Sequence, residues 1–502
     1  MPSEGSVSRL PLVRKFSYGV GHVLNDLCAS MWFTYLLIFY HQVLGMDNIL
    51  AGNLLLLGQV ADALATPFVG YESDRLNGCF GYGKRKSWHL LGSICVAASF
   101  IFVFSPELGV DPLTYVVGKD YTSLVYYAPF IVIFQFGWAS TQISHLSLIP
   151  SLSNSEQEKL GLNSIRYAFT VIANLAVYLL AWFLLTQDLG TAATDSLTSA
   201  DYLVFQNLAI IVIATGALFS LIFHVGTKES IQATDERELM NSTRRQMRVL
   251  SWLKTAQFYT VALLYMSTRL IVNISQVYLS MYLTETLMLS KTYIAIVPLV
   301  IYIMGFLITF PIKFLSKKAG KKVIYFLGLL CIIGACTWFY FLHEDTPHRK
   351  YLVMGASALN GIGGSTVLVI SLSLTADLID GNTESAAFVY GAMSFTDKLA
   401  NGLAVQIIQI AHPCKATACC PACSPFYRDI MSFVPAGCAV TAFIALLLIR
   451  PRKTEYTYDE RVERSDSPNL VTNESNSINE PTETSSLIPQ RSDSPKLVKS
   501  AR

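Results

Sequence analysis

The stretch Asn53–Arg75, NLLLLGQVADALATPFVGYESDR, decides the fold class of this chain. It is long and apolar enough to cross a bilayer as a helix, which takes about 20 residues. Its middle nevertheless carries a carboxylate, Asp62, and a charged side chain at the membrane centre costs about 2.5–3.5 kcal/mol on insertion scales. Such a group usually faces a cavity, pairs with a cation or takes up a proton, so the segment predicts a polar path through a membrane protein.

The composition of the whole chain is that of a membrane protein. Of its 502 residues, 52% are hydrophobic and only 14% are charged, whereas about 25% is usual for soluble domains. The formal net charge is +2, and no nucleic-acid partner is predicted. The start of the chain, MPSEGSVSRLPLVRK, is polar, and the apolar run after it is too long for a cleaved signal peptide. That run is therefore predicted to remain as the first span.

Apolar segments of spanning length recur about twelve times, separated by short polar breaks. Basic residues concentrate at the N-terminus and in every second break, which places both termini in the cytosol by the positive-inside rule. The predicted spans are Phe16–Leu44, Asn48–Tyr71, Ser87–Phe104, Tyr121–Leu148, Leu162–Leu185, Leu203–Phe223, Ala256–Leu283, Tyr293–Phe314, Val323–Phe341, Tyr351–Thr375, Phe388–Ala411 and Phe426–Leu448.

A long polar break in the middle of the chain divides the spans six and six. This division predicts an all-α membrane protein of two six-helix bundles, related by an internal repeat for which sequence support is weak. The C-terminal segment is rich in Ser, Thr, Glu, Asn and Pro and is predicted to be disordered. The predicted organisation is a cytosolic N-terminus at 1–15, an N-terminal bundle at 16–226, a cytosolic linker at 227–255, a C-terminal bundle at 256–449 and a cytosolic tail at 450–502.

Polar and ionisable residues within the spans form the candidate binding site. They can line a central cavity, or they can act as fixed ion pairs that hold helices together. A zwitterionic amino acid needs an anion for its ammonium group, which Asp26 can supply. Its carboxylate needs a cation, and a guanidinium binds it bidentately, so Arg269 or Arg166 is a candidate; a small apolar niche would take a thiol side chain. The candidate residues are His22, Asn25, Asp26, Asp62, His145, Arg166, Arg269, Asp397 and Lys398.

The segment after span two, Gly70–Trp88, combines glycines with charged residues and is a candidate gating loop. Glycines permit a tight turn and a close approach of helices, and Asp74 can cap or pair at a helix end. Arg75, Lys84 and Arg85 can anchor the loop to anionic headgroups. Positive-inside charge alone explains the cations, but it does not explain the Gly-x-x-x-Asp-Arg arrangement.

That arrangement resembles the loop signature of the major facilitator superfamily. FSYGVGHVLND at 16–26 and DALATPFVG at 62–70 are similar to the glycoside–pentoside–hexuronide cation symporters, typified by melibiose permease. The resemblance covers nearly all of the membrane region and implies the major facilitator fold. Segments such as Pro129–Pro150 and Ser394–Val405 resemble members that are implied to import cysteine into lysosomes and melanosomes, driven by a gradient or by protons.

The resemblance also implies roles for individual residues. Asp26 matches an aspartate that contacts substrate, and Arg166 resembles an arginine at the start of span five. Asp62 matches the first of two aspartates that bind the coupling cation, and Lys398 matches the lysine that pairs with them. Thr66 replaces the second aspartate here, which disfavours a sodium site built on paired carboxylates. A proton on Asp62, or no tight coupling, is the expectation instead.

Two further motifs lie outside the spans. Four of the ten cysteines cluster in a loop on the predicted non-cytosolic side, where an oxidising compartment favours one or two disulfides; a zinc site is disfavoured by the tight, proline-broken spacing. In the tail, Glu483, Leu487 and Ile488 fit the acidic dileucine form that clathrin adaptors read for lysosomal delivery. The clustered cysteines are Cys414, Cys419, Cys420 and Cys423.

Together these features predict a secondary transporter that works by alternating access, with cysteine as the substrate, a proton as the candidate coupling ion and the lysosomal or melanosomal membrane as its location. No Walker A loop, metal set or nucleophile–base spacing is present, so neither an ATP-driven pump nor an enzyme is predicted, and no cofactor. The alternatives are a carrier of another small solute (a sugar, another amino acid or a lysolipid), a channel, and a non-transporting interaction protein.

Overall fold

The computed structural model describes residues 10–75, 82–110, 121–153, 156–187, 196–229, 252–379, 386–413 and 422–449. These residues form twelve long helices and contain no β-strand. The helices are α1 Leu12–Val43, α2 Asn48–Arg75, α3 Lys84–Val103, α4 Tyr121–Ser147, α5 Glu156–Thr186, α6 Tyr202–Gly226, α7 Ala256–Thr286, α8 Tyr293–Ala319, α9 Lys321–Phe341, α10 Arg349–Ile379, α11 Ala386–Ile410 and α12 Cys423–Leu448.

The predicted all-α membrane architecture is confirmed. Eleven of the twelve helices are long and apolar enough to span a membrane by length and composition; α11 falls short because Asp397, Lys398, Asn401 and two glutamines interrupt it. Several helices extend beyond the predicted spans at their ends, since an apolar window detects only the part of a helix that lies in lipid. At the N-terminus, four residues of the predicted cytosolic segment 1–15 already belong to α1.

The first six and last six helices repeat the same backbone features, which reveals the internal repeat that the sequence supported only weakly. Both α1 and α7 end in a π-helical turn, at Phe39–Val43 and Tyr282–Thr286. After each turn the chain closes in the same way: the N–H of Leu44 donates to the Phe39 carbonyl (2.9 Å), and that of Leu287 to the Tyr282 carbonyl (3.1 Å).

A second shared feature opens α3 and α9. Each helix follows a glycine with positive φ, Gly83 at 108° and Gly320 at 88°, a conformation that other residues rarely adopt. Lys86 Nζ then donates to carbonyl groups at the end of α6, and Lys322 Nζ donates to the Ile449 carbonyl after α12. A cation at a helix C-terminus satisfies orphan carbonyls and complements the helix dipole. Each lysine therefore joins two helices of its own half at the predicted cytosolic end.

The two halves meet through α1 with α7, α2 with α11 and α5 with α8. Between described residues, the hydrogen bonds and ion pairs that join the halves run from mid-depth to the predicted non-cytosolic end. The last of them is a buried ion pair, Lys291 Nζ to Asp201 Oδ1 at 2.8 Å, and Asn48 Nδ2 lies 3.0 Å from His412 Nδ1 nearby. The structure is therefore closed at its non-cytosolic end.

Candidate functional site

A ladder of polar side chains joins α1 to α5. Residues four apart lie on one face of a helix, and both helices carry polar residues at this spacing on the faces that meet. Taken one span at a time, these polar residues look isolated in the sequence. Their shared four-residue spacing on α1 and on α5 is the sequence signal that would have predicted the ladder. The three rungs join Asp26 Oδ2 to Thr170 Oγ1 (2.8 Å), Ser30 Oγ to Asn174 Oδ1, and Thr34 Oγ1 to the Tyr178 hydroxyl (2.9 Å).

Asp26 occupies the rung nearest the predicted cytosolic side and is only 6% exposed. Its Oδ1 lies 3.0 Å from His22 Nδ1, and its Oδ2 accepts a hydrogen bond from Thr170. The His22 imidazole is its basic contact among the described residues, so no lysine or arginine from that part of the chain neutralises it. A buried carboxylate without a strong cation is costly, which suits a group that binds a cationic ligand or a proton.

Arg166 lies on α5 one helical turn from Thr170, nearer the predicted cytosolic end of that helix. The Thr170 hydroxyl is 3.3 Å from the Arg166 carbonyl oxygen. The Arg166 Nε is buried and has no hydrogen-bond partner among the described residues. A guanidinium with a buried, unused donor can accept a carboxylate ligand, so the site pairs an available acid with an available base.

The other two candidates on α1 and α4 point elsewhere. Asn25 Nδ2 donates to the Trp138 carbonyl on α4 (3.0 Å), so Asn25 faces the inside of the N-terminal half and not the ladder. His145 Nε2 lies 2.8 Å from the Tyr18 carbonyl oxygen and is fully buried. A substrate role for Asn25 stays a prediction that this geometry does not favour.

A second charged site lies between the halves at mid-depth. Lys398 Nζ on α11 lies 2.6 Å from Asp62 Oδ1 and donates to Thr66 Oγ1 (2.8 Å) on α2. The Thr66 hydroxyl is also 2.8 Å from the carbonyl oxygen of Asp62, one helical turn earlier. Thr66 directly precedes Pro67, which cannot donate a backbone hydrogen bond. The lysine ammonium therefore occupies the place between Asp62 and Thr66 that a coupling cation would take.

The neighbouring residue on α11 belongs to another ion pair. Asp397 Oδ2 lies 2.9 Å from Arg269 Nε on α7, and Asn401 Nδ2 donates to Asp397 Oδ1 at 2.6 Å. Arg269, one of two predicted partners for a ligand carboxylate, is thus already neutralised within the C-terminal half. The four charged groups Asp62, Lys398, Asp397 and Arg269 balance one another.

A small, mostly apolar cavity lies between the halves beside these charges. Its walls come from α1, α2, α7 and α11, and amide groups interrupt an otherwise apolar surface. Such a mixture suits a small ligand whose polar ends are fixed by a few groups. The lining residues are Trp32, Phe33, Leu55, Gln59, Asn273, Ile274, Val277, Asn401, Gly402 and Val405.

The candidate gating loop differs in part from its predicted role. Gly70 lies within α2, and a Cβ there would meet no atom within 4 Å, so the close helix approach expected at Gly70 is absent. Arg85 was expected at the lipid headgroups, but its Nη1 bonds the Ser147 carbonyl and its backbone N–H donates to Glu229 Oε2 (3.1 Å). Arg75 is exposed.

The remaining members of that loop leave their predicted roles open. Lys84 begins α3 and is half-buried. Asp74 lies in the last turn of α2, but its side chain is outside the described residues. The Gly-x-x-x-Asp-Arg arrangement is therefore helical throughout.

Two predicted motifs lie mostly outside the described residues. Of the cysteine cluster, Cys423 is buried and disulfide-bonded. In the part of the chain that the structure describes, no group of three or more potential ligands could hold a metal ion. The other members of both motifs lie outside this part: Cys414, Cys419, Cys420, Glu483, Leu487 and Ile488.

Twelve long helices in two repeated halves, eleven of them long and apolar enough to span a membrane, with acids and bases buried between the halves, define a transporter of the major facilitator class. The chain matches the family described as MFS/sugar transport protein over residues 17–411, and it belongs to that family. It is 50% identical to human "Major facilitator superfamily domain-containing protein 12" over 464 residues, which cover 88% of this chain and 95% of the relative. The mouse protein of the same name is 49% identical and covers 89% of this chain and 95% of the relative.

Solved structures agree on the fold. The inward-open xylose transporter XylE from E. coli superposes with a TM-score of 0.62 at 12% identity, covering 90% of this chain and 98% of XylE. The protein is thus a multi-pass membrane transporter and not an enzyme.

Proposed function

We propose that the protein is a secondary transporter that carries cysteine from the cytosol into lysosomes and melanosomes by alternating access, with a proton as the coupling ion. The observation that carries the proposal is the position of Asp26 and Arg166 on the facing helices α1 and α5: among described residues the Asp26 carboxylate has no lysine or arginine partner, and the buried Arg166 Nε has no hydrogen-bond partner. Cysteine as the particular amino acid follows from the sequence resemblance described above.

A zwitterionic amino acid fits this site by charge. Its ammonium group would lie against Asp26 and the Thr170 hydroxyl, and its carboxylate would lie against Arg166 one turn away on α5. Charge-assisted hydrogen bonds of this kind contribute about 1.5–3 kcal/mol each. Arg269 is the weaker candidate because Asp397 already neutralises it.

Alternating access requires the closed end to open. Gln276 on α7 donates to Thr34 Oγ1 (2.9 Å) at the third rung of the ladder, and the Lys291–Asp201 pair closes the outer end. In a rocking mechanism these contacts would break while the cytosolic side closes. The Asp62–Lys398 pair lies at the level about which the halves would rock.

A sugar is the second candidate substrate, because the family description includes sugar transport. A neutral sugar has no use for Arg166 as a counter-ion, so the two candidates differ in the effect of removing that charge. A lysosomal location is supported by the dileucine sequence Glu483–Ile488. Changing Leu487 and Ile488 to Ala should shift the protein to the plasma membrane; an unchanged vesicular pattern would mean that another signal dominates.

The test is uptake by full-length protein reconstituted in lipid vesicles, with labelled cysteine, cystine and xylose offered separately. We expect saturable cysteine uptake that is accelerated by unlabelled cysteine on the opposite side and responds to the pH difference across the membrane. Flux without saturation would indicate a channel. Uptake of xylose alone would show that the substrate is a sugar and not an amino acid. If none of the three solutes is taken up, a non-transporting interaction protein remains as the explanation.

A further inference from the structure

Four of the eight histidines of the chain lie together inside the first six helices, on the predicted cytosolic side of Asp26. Their ring centroids are spaced 5.7 Å from His22 to His145, 5.9 Å from His145 to His89 and 4.8 Å from His89 to His224. All four are 9% exposed or less. The row begins at Asp26, which bonds His22, and ends at Tyr82, which is 36% exposed between α2 and α3.

The outer part of the row is a chain of hydrogen bonds with a single direction. A carbonyl oxygen only accepts, so His89 Nε2, 2.9 Å from the Gly21 carbonyl, carries a hydrogen, and the neutral ring has a bare Nδ1. That nitrogen accepts from His224 Nε2 at 3.0 Å. His224 Nδ1 is then bare in turn and accepts from the Tyr82 hydroxyl at 2.8 Å. Burial raises the pKa of Tyr82, which keeps this hydroxyl protonated.

The inner part of the row holds two bare nitrogens. His145 Nε2 donates to the Tyr18 carbonyl, which leaves His145 Nδ1 bare, and His22 Nδ1 bonds Asp26. Among described residues, neither His145 Nδ1 nor His22 Nε2 has a hydrogen-bond partner, although both are buried. Two acceptors in neighbouring rings are what one water molecule satisfies by donating both of its hydrogens.

The packing keeps these rings in contact. A Cβ at Gly21 would lie 2.7 Å from His145 Cδ2, so only glycine lets α1 approach the ring this closely. The charged groups nearby are Lys86 on α3, whose Nζ bonds the His224 carbonyl, Arg166 on α5, and Asp26 on α1. The two cations oppose a lasting positive charge on the rings, so the rings are suited to pass a proton on.

We propose that His22, His145, His89 and His224 form a proton path between Asp26 and the cytosolic surface at Tyr82. Tyr82 passes its hydroxyl proton to His224 Nδ1 and takes another from a hydronium ion of the cytosolic solvent, while His224 passes its Nε2 proton to His89 Nδ1. His89 gives up its hydrogen bond to the Gly21 carbonyl and releases its Nε2 proton through one water to His145 Nδ1, and the water shared by His145 Nδ1 and His22 Nε2 carries the proton on to His22. His22 then passes its Nδ1 proton to Asp26, so one proton enters at Tyr82 and one arrives at the carboxylate; the reverse sequence expels it.

This path names the route for the coupling ion and in that sense rests on the proposed function, but one test needs no solute. In the full-length protein, a light-triggered release of protons would be followed by time-resolved infrared spectroscopy of the carboxyl band that Asp26→Asn removes. We expect His89→Asn to slow proton arrival at Asp26 at least about tenfold, since positioned proton donors contribute about 100-fold or more. His41→Asn, a buried histidine at the opposite end of α1, is the matched control and should not slow it.

Equal rates in His89→Asn and wild type, or no carboxyl band at any pH, would overturn the path. Because His89→Asn removes a buried bond and can disturb folding, His145→Gln serves as the second variant and should show the same delay. In vesicles containing a pH dye, both variants should lose cysteine-driven proton flux and keep cysteine exchange. If the variants lose proton flux and cysteine exchange to the same extent, the histidines have a structural role. If the wild-type protein shows no cysteine exchange, cysteine is not the substrate, and the infrared measurement alone decides whether the proton path exists.

Discussion

The first six helices and the last six share their backbone features, from the π-helical ends of α1 and α7 to the lysines at the ends of α6 and α12, but they carry different chemistry at mid-depth. In the first half Asp26 lies among hydroxyl groups and imidazoles with no strong cation among described residues. In the second half Arg269 is paired with Asp397. The repeat thus supplies one scaffold twice with different charges in it, and we propose that the first half binds the solute while the second half holds the neutral Arg269–Asp397 pair.

The largest expected effect is on the pair that joins the halves. Lys398→Ala leaves Asp62 buried without its cation, and breaking a buried pair on one side costs about 3–5 kcal/mol. The apparent melting temperature of the purified protein should fall accordingly. The double variant Asp62→Asn with Lys398→Ala removes both charges and should recover much of the loss. A double variant no more stable than the single one would show that Lys398 acts through some other contact.

Removing the acid of the first half should strongly reduce transport without loss of the protein. Asp26→Asn keeps the shape of the side chain but removes the charge that an ammonium group needs, and charged hydrogen bonds contribute about 1.5–3 kcal/mol, or roughly 10- to 100-fold. Labelled cysteine uptake measures this. Asp377→Asn, which changes an exposed acid paired with Lys321, should leave uptake intact. Retained uptake in Asp26→Asn would refute the assignment.

The two arginines separate binding from structure. Arg166→Gln should raise the KM for cysteine about tenfold through loss of a charged contact, with little change in stability. Arg269→Gln leaves Asp397 unpaired in a buried site, so it should lower the melting temperature more than it changes KM. Measuring both quantities on both variants sharpens the contrast between the halves. The opposite pattern would move the carboxylate site to Arg269.

The smallest expected effect concerns the identity of the coupling ion. Thr66→Asp restores a second carboxylate beside Asp62, where the resemblance to cation symporters implies one. We expect uptake to acquire a dependence on sodium, because paired carboxylates favour a hard cation. Uptake at fixed pH with sodium or choline outside the vesicles measures it, and Thr66→Ser is the control. If Thr66→Asp shows no sodium dependence, the lysine ammonium still fills the site.

Much of the site was predictable residue by residue, and the resemblance also implied the pairing of Lys398 with Asp62, but the rest of its grouping was not predictable. The sequence identified Asp26, Asp62 and Lys398 because charged residues in apolar spans are conspicuous. It did not identify Thr170 or Asn174, because a threonine or an asparagine by itself is unremarkable in a membrane helix. Their contacts with Asp26 and Ser30 are visible only once α5 is packed against α1. It also left Arg269 and Arg166 as equal candidates, and only the contact with Asp397 separated them.

The sequence by itself determined the class of fold and the approximate number of spans, since the cost of placing polar backbone and charge in lipid is local and reads directly from hydropathy. Only the tertiary structure decided that Arg269 neutralises Asp397, which face of α1 meets α5, and that four histidines distant in the sequence form one row. Those outcomes depend on how each helix is rotated about its axis and on packing between segments far apart in the chain. Neighbouring residues of a helix point about 100° apart, so a shift of one residue in the packing would bring a different side chain to the contact.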